Sequence, residues 1–272
     1  MKKVFALIRI KDFETTIMAM LKRLMTNEYI TSKCAAIHLF PCVYTYFSTL
    51  NRQEIMNMYN QVSEDESPQV RKQAAIVLNE MIKLIPKVSE TELLNIFSRF
   101  YKDDQDTVRM QGIDSCVQFS HLLPEAKITA YLLPYIKKFA EDKSWRIRYL
   151  VADRIMDIAT GIGIQKANEN LLPYFSSFLK DVESEVRTAA VGRLSDFCKI
   201  LDAQSIITKI IPDLKELQND QFAYVRAALA ENLLTICPII EKAPTNEHIL
   251  PIFLHLLRDE SSEVRLNLFK RL

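Results

Sequence analysis

Stepping 0, 4, 8, 11 and 15 positions forward from Val70 reaches Val70, Ala74, Leu78, Met81 and Ile85, all apolar. The same steps from Ile147 reach Val151, Ile155, Ile158 and Ile162. From Val186 they reach Ala190, Leu194, Phe197 and Leu201, and from Val225 they reach Leu229, Leu233, Ile236 and Ile240. Steps of four and three keep side chains on one stripe of an α-helix, so each series predicts an amphipathic helix with a buried face. A second, shorter series lies upstream of each stripe: Leu133, Ile136, Phe139; Leu172, Phe175, Phe178; Ile211, Leu214, Leu217; Leu250, Phe253, Leu256. Pro134, Pro173, Pro212 and Pro251 each follow the first residue of their series. Proline is tolerated in the first turn of a helix because the N–H there has no intrahelical partner, so these prolines are expected to open the first helix of a pair.

Between the two series lies a turn of fixed pattern, Asp-x-x-x-x-(Val/Ile)-Arg. It reads DESPQVR at Asp65, DDQDTVR at Asp103, DKSWRIR at Asp142, DVESEVR at Asp181, DQFAYVR at Asp220 and DESSEVR at Asp259, with steps of 38, 39, 39, 39 and 39 residues. One step further back, NEYITSK offers Asn27 and Lys33 in place of the Asp and Arg. Turn residues such as Ser67, Asp106, Ser144 and Ser184 are expected to cap the second helix. A lone helical hairpin cannot bury both apolar stripes, so the repeats must stack on one another. The fold class that follows is all-α: one α-solenoid of about seven repeats over residues 1–272, with turns near 27, 65, 103, 142, 181, 220 and 259. Asp and Arg, both beside the turn, can pair with those of neighbouring repeats. An exposed pair contributes only about 0.2–1 kcal/mol, so the ladder is expected to set the angle between repeats rather than supply most of the stability.

Composition narrows the function classes. Net charge is +1, and the first fifty residues hold only seven cations against three acids, a solvated bias without the basic face that phosphate neutralisation requires. No uninterrupted apolar run approaches the roughly 18 residues of a membrane span. MKKVFALIRIK is broken by Arg9 and lacks a small-residue cleavage site, so it does not read as a signal peptide. Cys34, Cys42, Cys116, Cys198 and Cys237 are odd in number, widely spaced and never in a CxxC pair, which predicts neither a disulfide framework nor a zinc site. Reduced thiols point to the cytoplasm, with the nucleus as a further compartment. His248 and His255 can share a helix face but lack a third ligand, while His38 and His121 are isolated. The carboxylates recur every repeat, whereas an active site occurs once. The expectation is a non-enzyme without cofactor, metal or small-molecule substrate, and without nucleic acid or membrane as partner.

A two-helix repeat of this length, with Pro early in helix one, Asp in the turn and Val-Arg opening helix two, resembles the HEAT repeat. EDKSWRIRYLVADRI, KDDQDTVRMQGIDSCVQFSHLLP, FLKDVESEVRTAA and EHILPIFLHLLRDESSEVRLNLFKRL are similar, segment for segment, to the scaffold (A) subunit family of 2A-class Ser/Thr protein phosphatases. The likeness runs from about Phe13 to Leu272. It implies a non-catalytic scaffold on which the intra-repeat turns form a contact ridge. A regulatory (B-type) subunit docks on the N-terminal portion of such scaffolds, and the catalytic subunit docks on later repeats that only a longer chain would carry. Residues 1 to about 10 depart from the family, and Leu272 falls within a second helix, so the chain reads as truncated at both ends. Another HEAT adaptor, transport-receptor-like or an assembly platform binding through its second helices, is the alternative reading.

Matching the motif carries over as ridge residues Tyr29, where the family tends to have Trp, and Glu66, Ser67, Pro68, Arg71 and Lys72. In later repeats it carries over Asp103, Asp104, Gln105, Asp106 and Arg109, then Ser144, Trp145 and Arg146, and Glu183, Ser184 and Glu185. The competing reading is that these are turn and capping residues of any HEAT array. Trp145 is the leading candidate, because a large aromatic at a turn must pack on something and Trp is enriched in binding hot spots. Lys33 and Lys72 stand where the family often has Arg, which would weaken bidentate recognition of a carboxylate.

Overall fold

The computed structural model describes residues 10–84 and 89–270, with side chains from residue 13 onward; Ile85 and Leu272 lie outside them. Every regular element among the described residues is helical. The chain divides into two compact units, residues 1–122 and 123–272.

In the first unit three helical hairpins follow one another: Ile10–Met25 with Ile30–Tyr44, Thr49–Val62 with Pro68–Ile82, and Glu90–Phe100 with Asp106–Leu122. The second unit holds four more, whose second helices begin at Trp145, Ser184, Ala223 and Ser262. Within each unit every second helix packs on the second helix of the next hairpin, as a continuous core demands. The stripes read from the sequence supply that core. Val70, Ala74, Leu78 and Met81 are fully buried, as are the three later series from Ile147, Val186 and Val225, none above 6% exposed. Each large aliphatic side chain removed from water in this way contributes about 1.5–3 kcal/mol. Aromatic pairs join the first and second helices of a hairpin, with Phe97 and Phe119 edge to face at 5.5 Å and Phe175 and Phe197 stacked at 4.2 Å. Tyr59, fully buried, donates its hydroxyl to Ala74 O at 2.7 Å, and so keeps its polar atom satisfied.

Pro173 stands in the first turn of the helix Leu172–Leu179, as expected, but three other first helices differ from expectation in where they begin. Pro134, Pro212 and Pro251 do not open them. In these three repeats helix begins at Glu125, Ala203 and Lys242 and reaches the proline through one π-helical turn, Ile128–Leu132, Ile206–Ile210 and Thr245–Ile249. The cause lies in the proline ring, which removes an N–H and crowds the carbonyl four residues back. The chain widens by one residue, and Leu133 N–H donates to Ile128 O, Ile211 N–H to Ile206 O and Leu250 N–H to Thr245 O. This rotation displaces part of the predicted stripe: Leu250 is 43% exposed and Leu133 and Phe253 only half-buried, while Ile249 and Ile252 enter the core.

Second helices are interrupted too. The fifth divides at Arg193, after Gly192, and the sixth tightens into a 3₁₀ turn at Leu234–Ile236 just ahead of Pro238. Pro238 has no N–H for the ladder there.

Candidate docking ridge on the intra-repeat turns

Each turn is built by its aspartate. Oδ1 of Asp65, Asp103, Asp142, Asp181, Asp220 and Asp259 accepts the backbone N–H two residues on, at 2.8–3.0 Å. Asn27 does the same for Tyr29 N–H at 2.9 Å, which makes the divergent first turn the same device. Such Asx turns hold the backbone without help from the second helix. The serines expected to cap do not use their side chains for it. Ser67 and Ser144 occupy the N-cap position without a side-chain capping bond, Asp106 is already helical, and Glu183 rather than Ser184 stands at the N-cap. The Asx turn already holds the N-cap backbone N–H of Ser67, Ser144 and Glu183 in place, and the turn keeps its shape without a side-chain cap.

The arginine six residues on closes the turn and reaches the next one. Nη1 of Arg71, Arg109, Arg148, Arg187, Arg226 and Arg265 donates to the main-chain oxygen of its own repeat's aspartate at 2.5–2.9 Å. In Arg71, Arg148, Arg187 and Arg226 the other edge of the guanidinium takes the following repeat's carboxylate bidentately. Arg71 holds Asp103 at 2.6 and 3.0 Å, Arg148 holds Asp181 at 2.6 and 2.8 Å, and Arg187 and Arg226 hold Asp220 and Asp259, each at 2.6 and 3.0 Å. Lys33, a single point donor, reaches Asp65 with one bond of 2.8 Å.

These rungs are not the exposed pairs the spacing suggested. In the Arg187–Asp220 rung the side chains are 11% and 6% exposed, and in Arg226–Asp259 they are 9% and 5%. Asp259 is accordingly held below the usual carboxylate range, chiefly by its hydrogen bond from Arg226. Inside such a rung both ions are desolvated, so losing one partner is far costlier than at the surface.

The ladder sorts the candidate residues. Arg71 and Asp103 are consumed in a rung, Arg109 is buried, and Ser184 is buried with its hydroxyl on Glu185 Oε2. Ser67, Lys72, Asp106, Ser144, Trp145 and Glu183 are half-buried, whereas Tyr29, Glu66, Pro68, Asp104, Gln105, Arg146 and Glu185 face solvent. Tyr29 is 72% exposed. The Trp145 ring lies under the Arg146 guanidinium, whose Cζ stands 4.9 Å from the ring centroid, so a chain-internal contact already covers one face of it. Sequence reasoning passed over three more solvent-facing apolar side chains on consecutive turns: Val182 at 85%, Phe222 at 37% and Tyr224 at 43% exposure. Their signal was present as apolar residues one, two and four places after an aspartate, in a turn where other repeats carry polar ones.

The remaining chemistry is structural. Cys116 and Cys198 are buried in the core, and burial pushes both thiols up, away from nucleophilic reactivity. No cluster of metal-ligand type occurs among the described residues. A groove of ≈ 670 Å³ beside the turns at Asp220 and Asp259 is lined by both aspartates, Arg226, His255 and Arg258, with the aspartates already paired.

Comparison with known proteins follows the same pattern. Residues 165–240 match the family model described as PPP2R1A-like HEAT repeat. The chain is 33% identical over 166 residues to a protein phosphatase PP2A regulatory subunit of the A type from Schizosaccharomyces pombe, a match covering 60% of this chain and 28% of that protein. It is 34% identical over 116 residues to a probable serine/threonine-protein phosphatase PP2A regulatory subunit of Caenorhabditis elegans, covering 42% of this chain and 20% of the other. These matches span less than a third of either relative's length. Among solved structures, importin beta superposes with a TM-score of 0.71 at 13% identity, covering 98% of this chain and 36% of that one, which establishes the fold. The chain thus has the fold of a HEAT-repeat α-solenoid, and over part of its length its sequence is similar to those of A-type PP2A regulatory subunits.

Proposed function

We propose that the chain is a non-enzymatic scaffold of a 2A-type protein phosphatase, and that it docks a regulatory (B-type) subunit on its intra-repeat turns. The observation that carries this reading is the division of labour at each turn. Within each unit Asp and Arg lock consecutive turns to each other from a largely buried position, and the intervening residues, Glu66, Pro68, Asp104 and Gln105 in the first unit and Arg146 and Glu185 in the second, are left facing solvent on that frame. Preorganised side chains lose little freedom on binding, which favours recognition by such a row. Partial identity to two proteins named as PP2A regulatory subunits supports the choice of phosphatase partner. A catalytic subunit would need repeats beyond those in this chain.

Titration calorimetry at physiological salt tests the proposal, using the full chain in separate experiments against a B-type regulatory subunit and against the phosphatase catalytic subunit. Saturable binding of the first only is expected. Binding of only the catalytic subunit, or of neither, would overturn the reading and leave the transport-receptor-like or assembly-platform adaptor.

A further inference from the structure

We infer that the fifth and sixth turns form a recognition site for an arginine or lysine side chain, presented by an extended segment of a partner protein. The inference rests on the reading of the turns as the docking ridge for its biological partner, but its chemistry stands on these two turns alone.

The aromatic half of the site is Phe222 and Tyr224, with ring centroids 5.3 Å apart and planes tilted by 34°. The Phe222 backbone and the Tyr224 side chain are both anchored. The Phe222 backbone N–H is held by Asp220 Oδ1 at 3.0 Å, and Asp220 is clamped by Arg187. The Tyr224 hydroxyl donates to Ser184 Oγ across the repeat boundary at 2.5 Å, and Ser184 Oγ in turn donates to Glu185 Oε2 at 3.1 Å. This relay ties the tyrosine ring to the acidic turn, beside the 85%-exposed Val182.

The acidic half is Glu183 and Glu185. Among the described residues neither carboxylate forms an ion pair, because the nearby cations are committed elsewhere: Arg148 to Asp181, Arg187 to Asp220 and Lys180 to Asp213. The two turns therefore present two negative charges without an ion-pair partner beside an aromatic pair whose tyrosine is anchored to Ser184. A long basic side chain satisfies both halves at once. Its methylene stem covers Val182 and the ring faces, and its charged head meets the carboxylates and the ring quadrupole. An acidic or purely aliphatic segment would satisfy only one half or neither.

The test uses the full chain with 4-fluorophenylalanine incorporated, the Phe222 resonance being assigned with Phe222→Leu. Two probes are titrated, Ac-Gly-Arg-Leu-Arg-Gly-NH2 and its counterpart with both arginines replaced by glutamate. A saturable shift of the Phe222 resonance by the basic peptide only is expected, weakened about tenfold in Glu183→Gln/Glu185→Gln. That double variant should melt with the parent, since both side chains lie outside the rungs. No saturable shift, an equal response to both peptides, or a response unchanged in the double variant would overturn the site. A regulatory subunit whose affinity is unaffected by Glu183→Lys/Glu185→Lys, alongside a positive peptide result, would sink the assignment of that subunit to this patch and leave the site standing.

Discussion

Replacing Asp220 with alanine removes the acceptor of two guanidinium bonds from Arg187, at 2.6 and 3.0 Å, together with the acceptor that holds Phe222 N–H. Arg187 cannot escape to water, because its side chain is only 11% exposed and its Nη1 remains tethered to Asp181 O. The variant therefore leaves a mostly buried, unpaired guanidinium. Breaking a buried pair from one side costs about 3–5 kcal/mol, and the residual exposure argues for the lower end, about 3 kcal/mol. Losing the turn bond adds about 1 kcal/mol. The comparison variant is Asp104→Ala, whose carboxylate also meets Arg71 but is 75% exposed and solvent-screened, and which should shift the midpoint far less. Urea denaturation followed by circular dichroism reads both as shifts of midpoint, and the Arg187→Ala/Asp220→Ala cycle isolates the pair. If Asp220→Ala and Asp104→Ala fell within error of one another, or the coupling were near zero, the rungs would be surface pairs and the account of them wrong.

Glu241 has φ 67° and ψ −179°, a region nearly exclusive to glycine, at the repeat position where Gly163 sits with φ 91°. Glu241→Gly should therefore raise stability by about 1 kcal/mol despite the greater freedom of the unfolded chain, and a lowered melting temperature would refute the strain. Ile155→Asp places a charge on the fully buried stripe and should melt its own and the adjoining repeats together, whereas an unchanged melt would refute the stripe. Because the folded value of Asp259 lies below its unfolded value near 4, the stability it contributes is complete above that value and declines as pH falls through the folded one. An acid titration of Arg226→Met should accordingly lose part of the parent's steepening below about pH 4, and an identical profile would remove Asp259 from the acid transition. Trp145→Ala should leave the melt nearly unchanged while weakening regulatory-subunit binding by about 2 kcal/mol; unchanged affinity would make the Arg146 contact the sole role of this ring.

Repetition made the architecture readable. A stripe such as Ile147, Val151, Ile155 and Ile158 recurs in phase with an aspartate every 39 residues or so, and helix periodicity then leaves one choice of buried face. The participants in the ladder were legible for the same reason. Their burial was not, because the low exposure of Arg226 and Asp259, 9% and 5%, depends on packing between repeats and has no counterpart in local spacing. The prolines announced a local break, but whether Pro134 opens a helix or widens one into a π turn depends on the residues from Glu125 onward finding a place to pack. At the candidate site the motif pointed to the turns that are proposed as the docking ridge. It also counted Arg71, Asp103 and Arg109 as surface groups, and it missed Val182, Phe222 and Tyr224, whose exposure follows from turns held away from the core by their own Asx bonds.

The central claim is that the turns carry the docking face. Hydrogen–deuterium exchange on the full chain, with and without a saturating B-type regulatory subunit, tests it most directly. The account predicts slowed exchange in a periodic set of segments at the turns following Asn27, Asp65, Asp103, Asp142 and Asp181, with the second helices unchanged. Protection concentrated along second helices such as Trp145–Ile162, with the turns exchanging as in the free chain, would contradict it.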